Sequence, residues 1–387
     1  MIAVGLMSGT SLDGIDAALL DIAPTRSGYA VRLVRALTVP FAADAAGRLR
    51  AALPPAQPAV QVVSALDAEM GVALGDAARD VAAGVPLDYV ASHGLTLLHE
   101  PVAARTWQIG DPFAIRERVR ATVLYDFRRA DCAVGGQGAP LVPFADALLL
   151  ASPQRFRVAL NLGGIANVTL LAPGSAPSDA VAWDTGPANL LIDAFVRRRT
   201  SRRESYDRDG AHARAGAASN QLVRRLLADP YFALAPPKST GRERFGDAFL
   251  AEHADALDAL SLDDGCATLT TLSAESIATA IRDAAPAGSE VVVSGGGARN
   301  PALMDALRAR LPAFGLATSA AYGVDPDFKE AIAFAVLGYE LLRGRPAGLP
   351  GVTGARSAAL LGAIAPVELD ALLRRRDEEV RAASEQG

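Results

Sequence analysis

Four glycine-rich loops hold most of the residues whose types and spacing could do chemistry. The first, residues 7–16, combines Gly9 and Gly14 with hydroxyl side chains and two carboxylates, Asp13 and Asp16. Glycines let a backbone approach a ligand closely, and successive N–H groups beside hydroxyls form an anion-binding concavity. Carboxylates suit such a place if Mg²⁺ lies between them and a phosphate. The pattern predicts a phosphate loop with Mg²⁺ on the two carboxylates; the alternative is an ordinary polar hairpin turn.

Two later loops could hold the same kind of ligand. Residues 161–167 read Asn-Leu-Gly-Gly-Ile-Ala-Asn, and residues 294–301 read Ser-Gly-Gly-Gly-Ala-Arg-Asn-Pro. The 161–167 loop could face the 7–16 loop and clamp a polyphosphate, or be a turn that needs a positive φ at one glycine. The 294–301 loop follows a strand and can lay its backbone against a phosphate or a flat ring. Both lack the Walker and G-x-G-x-x-G patterns, and no lysine occurs in the four loops, which argues against a P-loop NTPase or a protein kinase.

The fourth loop, residues 183–189, contains a carboxylate, Asp184, at the end of an apolar run and before a Gly-Pro turn. An acid at a strand end beside a cleft is well placed to act as a general base. The alternative is that Asp184 caps the helix expected at 187–199.

Composition excludes several other classes of function. The chain has 387 residues, half of them apolar and 21% charged, which suits a folded protein of two domains. A net charge of −5 without a basic block argues against nucleic-acid and membrane-surface binding. Cys132 and Cys266 form no paired spacing, so we expect neither a zinc site nor a disulfide framework. The N-terminus has no signal-peptide pattern, and we expect a cytoplasmic protein.

Hydrophobic patterning predicts the elements that carry the loops. Strands are expected at residues 2–7, 15–22, 29–39, 89–93, 121–125, 157–162, 165–171 and 290–294. Helices are expected at residues 60–83, 115–120, 187–199, 220–228, 246–259, 268–284, 301–311, 328–342 and 367–383. Residues 126–143 are expected to form a long functional loop. The strand–turn–strand unit at 2–22 recurs at 157–171, which predicts two similar lobes facing a cleft, although any two buried hairpins look alike.

Taken together, the loops resemble one family, anhydro-N-acetylmuramic acid kinase, of the sugar kinase/Hsp70/actin superfamily. The matching stretches run in chain order: residues 5–16, 92–94, 108–112, 126–131, 135–140, 161–167, 184–189, 236–243, 294–300 and 329–334. One departure is Leu95, where the family often has Gln after Ser-His-Gly. The last residues of the chain carry little resemblance.

The resemblance implies an α/β fold with duplicated actin-like ATPase lobes of the ribonuclease H-like type. Mixed sheets would be flanked by helices, with an ATP cleft between the lobes. The implied N-terminal lobe is 1–135 and the C-terminal lobe 136–364, with a final helix, 365–387, packing back on the first lobe. The implied reaction opens a 1,6-anhydro sugar with water while ATP and Mg²⁺ phosphorylate O6. The product would be N-acetylmuramic acid 6-phosphate, made by a homodimer during peptidoglycan recycling.

The resemblance also implies roles for individual residues. Asp184 would be the base that activates water, and Glu330 a second acid near that water. The ATP-binding residues would be Gly9, Thr10, Ser11, Leu12, Asp13, Gly14, Ile15, Asp16, Asn161, Gly163, Gly164, Gly295, Gly296, Gly297 and Asn300. The sugar-binding residues would be His93, Gln108, Asp126, Arg128, Asp131 and Gln137.

Alternatives remain open at this level. The loop with Arg128, Asp131 and Gln137 suits a sugar that carries a carboxylate, since arginine binds carboxylates bidentately, but it could be a self-contained salt-bridged loop. His93 could be structural, and Lys238 could contact a ligand or be solvated. The whole chain could be an ordinary sugar or acetate kinase without a hydrolytic step, or a nucleotide-gated binding protein.

Overall fold

The computed structural model describes residues 1–9, 12–25, 28–54 and 56–385, with Pro101 described by its backbone alone. The chain divides into two compact units. Unit 1 comprises Met1–Ala145 with Phe328–Gly387, and unit 2 comprises Asp146–Asp327. The sequence-based boundary instead placed 136–145 and 328–364 in the second lobe. Among the described residues, no helix is both long enough and apolar enough to span a bilayer.

Each unit is built on one mixed sheet. The described residues form twelve strands: β1 (Ile2–Ser8), β2 (Gly14–Thr25), β3 (Gly28–Pro40), β4 (Tyr89–Glu100), β5 (Arg105–Ile109), β6 (Thr122–Tyr125), β7 (Arg157–Leu162), β8 (Ile165–Leu171), β9 (Val181–Pro187), β10 (Glu290–Ser294), β11 (Gly315–Thr318) and β12 (Ala363–Ala365).

Helices cover the sheets. Those in the described residues are α1 (Ala43–Ala52), α2 (Val60–Ala82), α3 (Pro112–Val119), α4 (Arg129–Ala133), α5 (Val142–Leu150), α6 (Leu190–Arg199), α7 (Ala211–Ala215), α8 (Asn220–Leu226), α9 (Asp247–Glu252), α10 (Ala254–Asp258), α11 (Leu262–Ala284), α12 (Pro301–Arg310), α13 (Lys329–Leu342), α14 (Pro350–Thr353) and α15 (Leu369–Glu385).

The two sheets share one topology. In unit 1, β1 pairs antiparallel with β2 and parallel with β4, while β3 extends the sheet beyond β2 and β6 extends it beyond β4. In unit 2, β7 takes the place of β1, with β8 and β9 on its antiparallel side and β10 and β11 on its parallel side. Unit 1 adds β5 and β12 to this plan. The predicted duplicated α/β fold is therefore confirmed.

The sequence pattern explains why these elements form. Helix α2 places apolar residues at helical spacing. Its residues Leu66 and Leu74 pack in one cluster with Leu6 of β1 and with Ile15 and Leu19 of β2. In unit 2, buried residues of β7 and β10 pack against α11 and α12. Each sheet thus buries its hydrophobic face under helices, and the glycine turns remain at the strand ends.

Close packing against β1 fixes the position of α13. A Cβ atom at Gly5 would lie 1.8 Å from the backbone oxygen of Ala331, so only glycine allows the helix to approach the strand so closely. Since Glu330 lies in the first turn of α13, this approach sets where its carboxylate is in unit 1.

Several sequence predictions were wrong in detail. Residues 126–143 contain α4 and the start of α5 rather than a continuous loop. The helix expected at 187–199 begins only at Leu190, because β9 runs through the Gly-Pro pair as far as Pro187 and pairs with β8. The helix expected at 246–259 is two short helices, α9 and α10. No strand range was predicted for β5, β9, β11 or β12, and no helix for α1, α7 or α14.

Candidate active site

The turn between β1 and β2 in unit 1 is stabilised by its own hydrogen bonds. The Leu12 N–H donates to the Gly9 carbonyl at 3.1 Å, and the Ser8 hydroxyl donates to the Gly14 carbonyl at 3.0 Å. Leu12 has a φ of 61° and a buried side chain, and Ile15 is also buried. These two side chains therefore pack in the core of unit 1. Thr10 and Ser11, both predicted to bind ATP, lie outside the described residues.

The two carboxylates of this turn differ in their surroundings. Asp13 is exposed, whereas Asp16 accepts a hydrogen bond from the Thr38 hydroxyl at 2.6 Å. No group of three or more His, Cys, Asp or Glu side chains in the described part of the chain could enclose a metal ion. The donors fit a Mg²⁺ ion that takes one or two carboxylates from the protein and its other ligands from phosphate and water.

The corresponding turn in unit 2 has glycines that the protein itself does not require. Neither Gly163 nor Gly164 has a left-handed φ, and a Cβ atom added at either would meet no atom closer than 3.4 Å. The alternative that this turn needs a positive φ is therefore wrong. Asn189 donates from Nδ2 to the Gly163 carbonyl at 2.9 Å and fixes the turn. A Cβ atom at either position would make only ordinary van der Waals contacts, so the protein's own packing does not explain the two glycines.

The glycines after β10 fall into two classes. Gly295 has a φ of 83°, and a Cβ atom at Gly297 would lie 2.7 Å from the Cβ of Leu162, so both are needed for the fold. Gly296 is exposed, and a Cβ atom there would have no neighbour within 4 Å. Asn161 lies beside this loop, since its Oδ1 would be 2.8 Å from a Cβ at Gly295. Asn300 caps α12 by accepting hydrogen bonds from the Ala302 and Leu303 amides, as expected for a helix N-cap.

Asp184 lies within β9, opposite Asn167 of β8, rather than at the start of a helix. The alternative that it caps the next helix is therefore wrong. Its Oδ2 accepts a hydrogen bond from the Thr240 amide at 2.9 Å. Its own backbone is fixed on both sides, because its N–H donates to the Lys238 carbonyl at 3.1 Å and its carbonyl accepts from the Tyr231 hydroxyl at 2.7 Å.

The surroundings of Asp184 make its carboxylate a stronger base than an ordinary aspartate. Burial raises its pKa to about 6; the Thr240 amide opposes this rise, and the negative charge of Glu243 adds to it. A carboxylate with this pKa is ionised at neutral pH and takes up a proton more readily than one in water. Such a group, rigidly held on a strand, can act as a general base.

In unit 1, His93 is engaged through both ring nitrogens. Nδ1 lies 3.0 Å from the Gly94 carbonyl, and Nε2 lies 2.9 Å from the Nε–H of Arg128. A carbonyl can only accept and a guanidinium can only donate, so the ring carries its proton on Nδ1 and is neutral. Burial and the Arg128 charge hold the pKa of His93 well below its usual range. The ring packs on Phe334 with the centroids 4.6 Å apart.

Arg128 connects this histidine to the rest of the predicted sugar-binding group. Its Nη1 donates to the Gly138 carbonyl at 2.8 Å. Burial lowers the pKa of Arg128, and the charge of Glu330 raises it, so the guanidinium and this carboxylate interact. Arg128, His93 and Glu330 thus form one cluster in unit 1, with a cation held in place by a neutral ring.

Other predicted sugar-binding residues organise their own loop. Asp131 is fully buried, and its carboxylate accepts from the Gly138 amide at 2.7 Å and the Thr353 hydroxyl at 2.8 Å. Asp126 pairs with Arg129 at 3.1 Å. Asp131 is thus held by hydrogen bonds both within its loop and from Thr353 outside it, and the contact of either aspartate with a sugar stays a prediction.

The two glutamines hold the same region of unit 1. Gln137 donates its backbone N–H to the Thr353 carbonyl at 2.9 Å. Gln108 donates from Nε2 to the Thr106 hydroxyl at 2.8 Å, and its Oε1 is buried without a protein hydrogen-bond partner. A buried amide oxygen without a partner is an unusual feature that a polar ligand could satisfy.

The family model described as anhydro-N-acetylmuramic acid kinase matches residues 1–367. The chain belongs to the anhydro-N-acetylmuramic acid kinase family. Relatives with this name come from Streptomyces coelicolor, 43% identical over 95% of this chain and 94% of its own length, and from Xanthomonas campestris pv. campestris strain 8004, 45% identical over 94% and 97%. A third, from Gloeobacter violaceus, is 44% identical over 94% of this chain and 98% of its own. The predicted family is confirmed.

The departure from the family pattern at Leu95 has a structural explanation. Leu95 is fully buried in the core cluster of unit 1 and pairs with Ile109 of β5. In this member of the anhydro-N-acetylmuramic acid kinase family, the position after Ser-His-Gly therefore contributes to packing.

Three residues of the site were not predicted from the sequence: Asn189, Tyr231 and Thr240. Asn189 was visible in the motif Asp-Thr-Gly-Pro-x-Asn, but its contact with the Gly163 turn was not. Tyr231 and Thr240 lie far from Asp184 in sequence, and Thr240 acts through its backbone, which no side-chain pattern could indicate.

Proposed function

We propose that this protein is an ATP-dependent kinase that opens 1,6-anhydro-N-acetylmuramic acid with water and phosphorylates O6, acting as a cytoplasmic homodimer in peptidoglycan recycling. The observation that carries the proposal is Asp184, a rigidly held carboxylate whose pKa is raised to about 6 by burial. An ordinary sugar kinase and a hydrolytic kinase both need a base, but membership of this family favours the anhydro sugar as substrate.

The proposed reaction balances without a covalent enzyme intermediate. Asp184 takes one proton from water as the water oxygen attacks C1. The C1–O6 bond breaks, and its electron pair goes to O6, which attacks the γ-phosphorus of ATP and displaces ADP. The proton then leaves Asp184 to solvent. Glu330 is assigned as the second acid near the attacked carbon.

Nucleotide binding is assigned to the glycine turns. The turn Gly9–Asp16 in unit 1 and the turns with Gly163, Gly164 and Gly296 in unit 2 would offer backbone N–H groups to the phosphates. Of these glycines, Gly296 has open space where a side chain would be. Asp13 and Asp16 would hold Mg²⁺ together with phosphate oxygens. When bound, Mg²⁺ spreads the negative charge that develops on the transferred phosphoryl group.

Sugar binding is assigned to unit 1. Arg128, held by His93 and Gly138, offers a guanidinium to the carboxylate of the lactyl group, since arginine binds carboxylates through paired hydrogen bonds. Gln108 has a buried Oε1 that could accept from a sugar hydroxyl or amide. Asp126, Asp131 and Gln137 stay in the proposal as residues that shape this loop.

Isotopic labelling tests the hydrolytic step. In ¹⁸O-water, the 1,6-anhydro sugar should give a product with ¹⁸O on C1 and none in the phosphoryl group, because water attacks C1 and O6 attacks phosphorus. Mass spectrometry of the product and of a fragment lacking C1 locates the label. A phosphorylated product that carries no label on C1 would rule out the hydrolytic reaction, and ring-opened N-acetylmuramic acid serves as the control substrate.

Replacement of the proposed base tests its role. We expect Asp184→Asn to lower turnover roughly 10²–10⁴-fold, the usual contribution of a general base, with ATP affinity nearly unchanged. In the unaltered enzyme, kcat/KM should fall as pH drops below about 6, because Asp184 then takes up a proton and can no longer accept one from water. Asp283→Asn, an exposed aspartate on α11, is the matched control. Near-normal turnover in Asp184→Asn would remove the residue from this role.

Adjacent glycines separate ligand binding from folding. We expect Gly296→Ala to weaken ATP binding about tenfold, or ~1.4 kcal/mol, without changing the melting temperature, because its Cβ points into open space. Gly297→Ala should lower the melting temperature, since its Cβ would lie 2.7 Å from that of Leu162. Gly47→Ala, on exposed α1, is the control for ATP binding. Unaltered ATP affinity in Gly296→Ala would place the nucleotide elsewhere.

A further inference from the structure

The segment between the 3₁₀ turn Pro230–Ala233 and α9 has no regular structure, yet it lies against Asp184. Its sequence includes Lys238, one of only two lysines in the chain. Two hydrogen bonds join this segment to Asp184: the Lys238 carbonyl accepts from the Asp184 N–H, and the Thr240 N–H donates to Oδ2. The contacts that hold this irregular segment in place therefore also affect the surroundings of the proposed base, Asp184.

The Lys238 ammonium binds backbone rather than solvent. Nζ donates to the carbonyls of Tyr231 and Phe232 at 3.2 and 3.3 Å, and it lies 4.8 Å from the centroid of the Tyr231 ring. The Tyr231 carbonyl also accepts from the Leu234 N–H at 3.1 Å, and a lysine is a suitable additional donor to carbonyls at the end of a helical turn. Burial also lowers the pKa of Lys238, as expected for an ammonium partly removed from water.

These contacts join Asp184, the 3₁₀ turn and the segment that carries Lys238 to one another. The Tyr231 hydroxyl donates to the Asp184 carbonyl at 2.7 Å, so the 3₁₀ turn is bonded to one side of the Asp184 backbone. The segment carrying Lys238 and Thr240 is bonded to the N–H and to the carboxylate. The Lys238 side chain ties the turn to the segment, and the two therefore keep a fixed spacing about the carboxylate.

We propose that Lys238 is a positioning residue that holds the 236–243 segment on Asp184 and keeps the Thr240 amide on its carboxylate. This inference rests on the proposed role of Asp184 as the base. It assigns to Lys238 no contact with ATP or sugar, because its ammonium donors are directed at the 3₁₀ turn.

The segment also sets how strongly Asp184 binds a proton. The Thr240 amide stabilises the ionised carboxylate and lowers its pKa, while Glu243 on the same segment raises it. Tyr231 is the titratable group that faces Asp184 from the 3₁₀ turn, and β8 presents the neutral Asn167 opposite. The position of the segment therefore sets two opposing influences on the pKa of Asp184.

One ion pair lies beside Tyr231. Arg244 forms an ion pair with Asp229 and lies over the Tyr231 ring, at 5.7 Å from its centroid. Because Arg244 and Asp229 bring one cation and one anion together beside Tyr231, replacement of Lys238 does not change the net charge of this pair.

The test is the pH dependence of kcat/KM for Lys238→Met, Lys238→Arg and the control Arg242→Met. Methionine keeps the length of the side chain and removes the donors, so the Thr240 amide should no longer stay on the carboxylate. We expect the acid limb, the part of the profile in which kcat/KM falls with falling pH, to move to higher pH by about one unit. Below pH 6 the activity should then be about tenfold lower, in addition to any loss that is also seen at high pH. Arginine can donate to the same carbonyls and should bring the acid limb most of the way back to its position in the unaltered enzyme.

The control removes a charge from the same segment without removing these bonds. Arg242 is exposed, and Arg242→Met should leave the acid limb in place. If Lys238→Met shows the same limb as the control and the unaltered enzyme, the inference is overturned. If Asp184→Asn keeps its turnover, the proposed function fails instead, whatever Lys238→Met does.

If Lys238→Met does not fold, a second variant tests the premise that the segment lies on Asp184, and Lys238→Arg then reports on the lysine itself. Glu243→Gln removes a charge that raises the Asp184 pKa, provided that the segment is held where the structure has it. Its acid limb should move to lower pH, in the direction opposite to that of Lys238→Met. An unmoved limb in Glu243→Gln would overturn the inference, because the segment would then not lie against Asp184 during turnover.

Discussion

Burial of the Asp184 carboxylate is the interaction on which the rest of this account depends. A carboxylate in water would be a weak base, and one buried without a partner would stay protonated. Here burial raises the pKa to about 6, and the Thr240 amide limits the rise. The strand fixes the main chain of the residue, and the Lys238 segment supplies the amide. The base strength is thus a property of the fold of unit 2.

In unit 1, the group that is held in place is a cation, Arg128. Arg128 is largely removed from water, and a neutral His93 accepts from its Nε–H while Gly138 accepts from Nη1. The cation is thereby oriented without being neutralised by these two partners, and the charge of Glu330 favours it. Packing of α13 at Gly5 sets the place of Glu330. In both units, the backbone that carries the charged group is fixed by a strand or by the first turn of a packed helix.

The sequence predicted the parts of the structure that repeat a strong local pattern. The glycine turns between apolar runs indicated both hairpins, and the apolar spacing of α2 indicated its helix. It failed at Asp184, because Thr-Gly-Pro is typical of a turn, yet pairing with β8 carries the strand through it. The Lys238 contacts could not be predicted, since they join backbone groups of irregular segments. The prediction of a continuous loop at 126–143 was wrong because α4 forms within this glycine-rich and charged sequence and α5 begins at its end.

The most direct measurement is the titration of the Asp184 carboxyl group itself. Infrared spectra of the protein with ¹³C-labelled aspartate, recorded against pH and compared with those of Asp184→Asn, isolate the carboxylate band of this residue. The account predicts a midpoint near pH 6, the value that burial imposes. A midpoint near 4, as for an aspartate in water, would contradict it.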